Sequence, residues 1–349
     1  MSSKLCEIQS IVEDGVDDVW DISVEDDESY AAQGFFNHNS SGPNMQQIPR
    51  SSEKTYFIRK GFIPHKGYRL VGGDQSQVEL RMMAHFSGDK TMCAEYQKDA
   101  NLWKALNDRA DPETIKALSK AKSDIHQRTA DACRCARNPT AKNINFGLLY
   151  GMMEKKLAAT LTAVNFVNCL EKGIPFDHLR DVVQPELARE FYDLFFSSYP
   201  GIRDYQEYIG KVARRQGYIE TRWGRRRRLP DIFSGDKYLV LGACRQAVNV
   251  TIQGHVGEMM LLSMSRADNI IDNPDGRALK KLGYRLNMQV HDEIQGECPD
   301  NEQTVEDVKY HLTKIFQNPG QCSDAYPYAG YRVPLIFEAN AGVNWNEVH

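Results

Sequence analysis

The sequence predicts an α+β fold, with helices and antiparallel strands gathered in separate runs rather than alternating as βαβ units. Three observations carry this expectation. Residues 68–74 form a short apolar strand that ends in Asp74 and passes directly into a helix-spaced run. Residues 285–290 and 294–298 read as two strands flanking the turn of His291, Asp292 and Glu293. Between those two places the chain reads as mostly helical.

Taken in order, residues 19–24 and 30–32 have the composition of short strands with turns between them. The sharpest compositional break falls at Asn39 and Ser40, after which Ser40, Ser41, Gly42, Pro43 and Asn44 read as loop. Apolar residues at 78, 80, 82, 83 and 86 predict a helix over residues 77–86. Residues 101–135 look largely helical. Pro139 suits the first turn of another helix, expected to run through Ala141 to Ala159. A further helical stretch covers residues 184–217, interrupted at Tyr199, Pro200 and Gly201, and another covers residues 249–264.

The 349 residues suffice for one large or two ordinary domains, each with a real core. No apolar run approaches the roughly 20 residues that span a bilayer. The opening Met1, Ser2, Ser3, Lys4 leads into an acidic stretch unlike a signal peptide. A cytoplasmic protein with no membrane partner is therefore expected. The eight cysteines are scattered. Cys133 and Cys135 are the one close pair and lack the companion ligands of a zinc site, so reduced thiols are expected. The net charge of −4 hides an asymmetry: residues 1–39 carry −9 and residues 40–349 carry +5. A mildly basic main body suits phosphate binding without proving it.

Asp74 ends a strand and Asp292 sits in a hairpin turn. Either alone more often caps a turn than binds metal. Together they could supply the hard anionic oxygens that two-metal phosphoryl transfer needs, one Mg²⁺ acidifying the attacking hydroxyl and the other steadying the leaving pyrophosphate. Lys142, Phe146 and Tyr150 are spaced four apart and so share a helix face. A cation there can hold triphosphate, and aromatic rings can pack on sugar and base. Arg245, Asn249 and Gln253 repeat the spacing and would present a cation and two amides to minor-groove acceptors. Arg225 to Arg228 form a basic run beside Trp223, suited to phosphate contact.

These residues fall inside longer patterns. Asp74, Gln75, Ser76, Gln77, Val78, Glu79, Leu80, Arg81 closely resembles motif A of the family A DNA polymerases. Lys142, Asn143, Ile144, Asn145, Phe146, Gly147, Leu148, Leu149, Tyr150, Gly151 resembles motif B, and Gln289, Val290, His291, Asp292, Glu293 resembles motif C. The three occur in the family's order, and the resemblance runs from Ser40 to the C-terminus. It implies a polymerase palm, an antiparallel sheet with helices, plus helical fingers. It also implies template-directed DNA synthesis with two Mg²⁺ ions, on primer–template DNA and dNTPs. The metal ligands would be Asp74, Asp292 and the backbone carbonyl of Gln75. Lys142 would bind triphosphate and protonate the departing pyrophosphate, with Glu293 also among the catalytic groups. Arg59, Gln77, His126, Phe146 and Tyr150 would line the nucleotide, and Glu79 would crowd a ribose 2′-hydroxyl. Arg245, Asn249, Gln253 and His291 would contact DNA. The family's motif B arginine lies four residues before the lysine; here Asn138 stands there, and Arg137 could serve if Pro139 absorbs an insertion. Thr251 replaces a frequent proline.

The first 39 residues resemble instead the C-terminal blocks of inteins, through residues 19–25, Tyr30 and the run from Gly34 to Asn39. The resemblance implies that Asn39 cyclises with help from His38 while the Ser40 hydroxyl accepts the upstream segment. A small β-rich intein fragment, 1–39, would then precede a palm-and-fingers portion, 40–349. The thumb and any exonuclease domain would lie upstream. The N-terminal intein and polymerase half is expected as a separate chain, in a bacterial or phage-infected cytoplasm. A single-subunit RNA polymerase shares the metal carboxylates and the lysine-to-tyrosine helix, and an inactive DNA-binding remnant is a third reading. Glu79, Phe146 and the His291–Glu293 turn favour DNA synthesis over the former. The retained Asp74, Asp292 and Lys142 argue against the latter.

Overall fold

The structure is a computed structural model describing residues 29–32, 35–38, 58–178, 180–320 and 328–348. The chain divides into two compact units, residues 1–59 and 60–349, so the division falls downstream of Asn39 and Ser40. In the first unit, β1 (Ser29–Ala32) and β2 (Phe35–His38) pair antiparallel, with Ser29 opposite His38. The expected strand over residues 19–24, and Asn39 and Ser40, lie outside the described residues. A 3₁₀ turn, Ile58–Gly61, carries Arg59, whose side chain is buried.

The second unit is α+β, as expected. Strand β3 (Tyr68–Gln75) leads into α1 (Val78–Ser87). The stretch expected as largely helical is three helices, α3, α4 and α5, preceded by a fourth. These are α2 (Lys90–Gln97), α3 (Ala100–Asn107), α4 (Pro112–Lys120) and α5 (Ile125–Cys133). Side chains of Asp89, Asp111 and Asp124 cap α2, α4 and α5 by accepting a backbone N–H three residues on. Asp89 also accepts from Gly201 N–H at 2.9 Å, so one buried carboxylate joins two helix starts.

A five-residue π segment, Arg137–Ala141, precedes α6 (Lys142–Leu149), followed by α7 (Glu154–Glu171). The helix expected to continue to Ala159 instead breaks after Leu149. Tyr150 leaves helical geometry, and Gly151 takes φ +76°, which ends the helix at low cost. Next come α8 (Pro185–Ser198) and α9 (Pro200–Gln216), split at Tyr199 as expected. The small hairpin β4 (Tyr218–Glu220) and β5 (Arg226–Arg228) follows.

Then α10 (Lys237–Asn249) runs through a second π segment, Val250–Gly254, into α11 (His255–Ala267). The helix expected from Asn249 thus begins twelve residues earlier, where Asp236 caps it. After α12 (Pro274–Lys281), strands β6 (Arg285–Val290) and β7 (Glu293–Pro299) form the predicted hairpin. Helix α13 (Glu302–Gln317) and strand β8 (Phe337–Gly342) complete the unit.

The sheet order is β6-β7-β3-β8, antiparallel throughout. Helix α13 covers one face with Val305, Val308, Leu312 and Phe316; Phe316 stacks on Phe337 at 4.7 Å between ring centroids. Removing these apolar side chains from water is the main force closing that face. The six cysteines among the described residues are free thiols. No helix among the described residues is long and apolar enough to cross a membrane.

Candidate active site

Two glycines let the central strand close tightly on its neighbours just before Asp74. A Cβ at Gly72 would meet the Ile294 carbonyl at 2.2 Å, and one at Gly73 would meet the Glu338 carbonyl at 2.3 Å. Asp74 sits opposite Glu293 in the register, and Gln75 N–H donates to the Asp292 carbonyl at 3.2 Å. The two candidate metal carboxylates therefore lie on adjacent segments of one sheet. Burial, and next the Asp74 charge, push the Asp292 carboxyl up to about 7. Such a pair of crowded anions, beside the main-chain carbonyl of Gln75, is a hard-oxygen donor set of the kind that Mg²⁺ accepts. Among the described residues no group of three or more His, Cys, Asp or Glu side chains is arranged around a metal position. A two-carboxylate site completed by phosphate oxygens and water is the usual Mg²⁺ arrangement at nucleotide sites.

The turn itself is held in an uncommon conformation. His291 has φ +54°, at the first of the two turn residues, where glycine is usual. Gln289 Nε2 donates to the His291 carbonyl at 2.9 Å. Glu293, expected among the catalytic groups, is buried; its Oε1 accepts from Gln295 at 2.7 Å and from the Trp345 indole N–H. That oxygen braces the turn from within the protein.

Near this turn, Glu79 is gripped at both carboxylate oxygens. Tyr150 Oη donates to one at 2.5 Å and Gln253 Nε2 to the other at 3.1 Å. Burial raises the Glu79 carboxyl, opposed by these two bonds and by the charges of His291 and Lys142. Burial also lifts the Tyr150 hydroxyl, with Glu79 adding to it. Lys142 Nζ lies 5.9 Å from the Phe146 ring centroid, and that ring lies 5.4 Å from His126. Arg245 packs beside Gly151, its Cγ 3.3 Å from where a Cβ would be. Thus residues from β3, α1, α6, the second π segment and the β6–β7 turn converge.

Other expected residues sit differently. The Gln77 amide is engaged by the Ser123 carbonyl at 2.9 Å and Tyr96 Oη at 3.1 Å, which brace the start of α1. Arg137 Nε donates to Asp124 at 2.6 Å, close enough to His126 to act on its imidazole. Arg59 is the last residue of the first unit. Asn249 ends α10, and the π segment breaks the strict four-residue spacing to Gln253.

Asn145, Thr129 and Trp345 carry no expected role, yet all three are fully or almost fully buried polar or indole groups bonded to one another or to expected site residues. A polar Asn145 within the apolar part of α6 was the one available signal. Arg81 is a fourth. Its guanidinium is completely buried, donating to the Ser76 and Pro334 carbonyls at 2.8 Å each and to Asp99 at 2.6 Å.

Comparison with known proteins bears on this arrangement. The family model for DNA polymerase family A matches residues 27–347. DNA polymerase I of Deinococcus radiodurans is 33% identical over 307 residues, covering 88% of this chain and 26% of that protein. The thermostable DNA polymerase I of Thermus aquaticus is 31% identical over 315 residues, covering 88% and 30% respectively. This chain therefore spans under a third of these relatives. The POL domain of Pol1 from M. smegmatis, in complex with DNA primer-template and dNTP, matches with a TM-score of 0.62 and 26% identity, over 88% of this chain and 45% of that one.

Proposed function

The chain belongs to DNA polymerase family A, and we propose that it performs templated nucleotidyl transfer, adding deoxynucleotides to a primer 3′ end. The observation that carries this is the crowded Asp74 and Asp292 pair beside a Glu79 that is fixed from both sides and feels the charge of Lys142. Asp74, Asp292 and the Gln75 carbonyl would hold two Mg²⁺. Bound there, Mg²⁺ supplies acidity to the primer hydroxyl and neutralises charge on the leaving pyrophosphate. Lys142 attracts the triphosphate and can give a proton to the departing pyrophosphate. Phe146 packs on the sugar. Glu79 cannot swing aside without losing two hydrogen bonds, so it excludes a ribose 2′-hydroxyl. Arg245, Asn249, Gln253 and His291 hold the primer–template.

The finer reading is a precursor matured by trans-splicing. The Asn39 side-chain nitrogen attacks its own carbonyl carbon, forms a succinimide and releases the Ser40 amine, after Ser40 has taken the upstream segment as an ester. Two features support it: the −9 charge of residues 1–39, suited to steering toward a basic partner, and the pairing of β2 up to His38. The family match begins at residue 27, ahead of Asn39, and so does not mark the junction.

Primer extension with deoxy- and ribonucleotides, by the chain alone and mixed with an N-terminal half, tests both readings. Template-dependent deoxynucleotide incorporation is expected, strongest after ligation to a product detectable by mass, and Asn39→Ala should block that product. Absence of templated incorporation from the ligated product would overturn the polymerase reading. Robust processive synthesis by the chain alone would overturn the need for a partner.

A further inference from the structure

The buried side chains behind His126 form a chain of hydrogen bonds. Thr129 Oγ1 donates to Asn145 Oδ1 at 2.8 Å, and Asn145 Nδ2 lies 2.8 Å from His126 Nδ1. Asn145 is completely buried, and Thr129 and His126 nearly so. An amide NH₂ can only donate, so Nδ1 of a ring facing it must accept. In a neutral imidazole the proton then resides on Nε2. Among the described residues Nε2 has no hydrogen-bond partner of its own. A flipped Asn145 amide would also satisfy the Thr129 hydroxyl, which can donate or accept. It would, however, place the ring proton on Nδ1 and leave a bare lone pair at Nε2.

We infer that Asn145 and Thr129 are positioning residues that fix His126 as the Nε2–H tautomer, so that it meets a nucleotide phosphate as an uncharged hydrogen-bond donor. The inference rests on the nucleotide pocket proposed above. Phosphate oxygens at neutral pH carry no proton to give, so a ring nitrogen facing them is useful only when it carries one. The groups around the ring are Asp124 at the start of its own helix, Arg137 on the π segment and Lys142 on α6. Burial pushes the imidazole down to about 4; Asp124 opposes this, and Arg137 and Lys142 add to it. The ring is thus neutral at pH 7, and the positive charge around it comes from Lys142 and from Arg137, which is paired with Asp124. The division of labour is specific: Lys142 brings charge, and His126 brings direction. A second cation in contact with Lys142 would add repulsion in the nucleotide-free protein.

The full chain with ¹⁵N-labelled histidine provides the test. The nitrogen spectrum of His126, assigned by comparison with His126→Gln, should show a protonated Nε2 and an unprotonated Nδ1. Asn145→Asp replaces the donor with a carboxylate that can only accept, so Nδ1 should become protonated. Should Asn145→Asp fail to fold, Thr129→Val should give a mixture of tautomers and Thr129→Ser should restore the parent pattern. A parent spectrum with protonated Nδ1, or an unchanged tautomer in both Asn145→Asp and Thr129→Val, would overturn the inference. In single-nucleotide incorporation, Asn145→Asp should raise KM for the dNTP about tenfold, the loss of one hydrogen bond to a charged group, with a much smaller change in kcat. A chain that never incorporates nucleotide sinks the polymerase reading yet leaves the tautomer decided by the spectrum. An active chain with the wrong tautomer sinks this inference alone.

Discussion

Asp74 and Asp292 are placed by main-chain hydrogen bonds of one sheet, whereas Lys142, Phe146, Tyr150 and His126 are placed by side chains and by where helices begin and end. In the sheet, the pairing of Asp74 with Glu293 and the bond from Gln75 to the Asp292 carbonyl set both carboxylates before any side chain acts. On the helical side, α6 is one short helix between a π segment and a glycine break, and side-chain bonds around it join Tyr150 to Glu79, Asn145 to His126 and Arg137 to Asp124. Irregular helix turns of this kind recur at functional sites because they re-aim side chains. A side-chain change on the sheet should therefore remove chemistry and leave geometry. On the helices it should disturb its neighbours as well.

The largest expected effect breaks the support under the sheet. Arg81→Ala strands a buried Asp99 and two carbonyls, and should cost about 3–5 kcal/mol in urea denaturation. A loss under 1 kcal/mol would show that the sheet side does not depend on it. Next, Lys142→Ala on the helical side should lower kcat/KM for dNTP about 10²-fold with the melting temperature unchanged, as expected for a lost electrostatic contact to the reacting phosphates. Tyr150→Phe frees one oxygen of Glu79, and discrimination against ribonucleotides should fall about tenfold in competitive primer extension.

The smallest effect sharpens the contrast through pH. Asp292 titrates near 7 in the fold against 3.8 for the ordinary carboxyl, so the folded protein holds the extra proton. That stabilisation is present below about pH 4 and is lost as pH rises through 7. The buried imidazoles run the other way. His85 and His126 are pushed down to about 4 and His255 to about 3, first by burial in each case. The unfolded chain then takes up protons below about pH 6.5, and stability falls with pH. In metal-free buffer, Asp292→Asn should melt a few degrees above the parent at pH 8, and the gap should be clearly narrower at pH 5. An equal gap at both values would show that neither burial nor the Asp74 charge raises the Asp292 carboxyl.

What the sequence revealed follows the same division. The strand ending at Asp74 and the hairpin around Asp292 were legible because alternation and turn chemistry are local signals. Helix ends were not. The break at Tyr150 hides in an apolar run, and α10 begins at an Asp236 cap ahead of a stretch with weak periodicity. Thr129, Asn145, Arg81 and Trp345 were missed for a different reason. Each acts through partners brought close by folding, as Trp345 reaches Glu293 across 52 residues of sequence. Glu293 and Gln77 are expected at the site from the motif resemblance; their bonds with Trp345, Gln295, Ser123 and Tyr96 depend on partners that the sequence does not mark.

Single-turnover incorporation of one deoxynucleotide on a primer–template, measured for the protein and its Asp74→Ala and Asp292→Ala forms alongside thermal melting, tests the central claim most directly. Either substitution should reduce the rate about 10³-fold or more, with a melting temperature equal to or above the parent's. A variant that keeps its rate within tenfold of the parent would contradict the assignment of these two carboxylates to the chemistry.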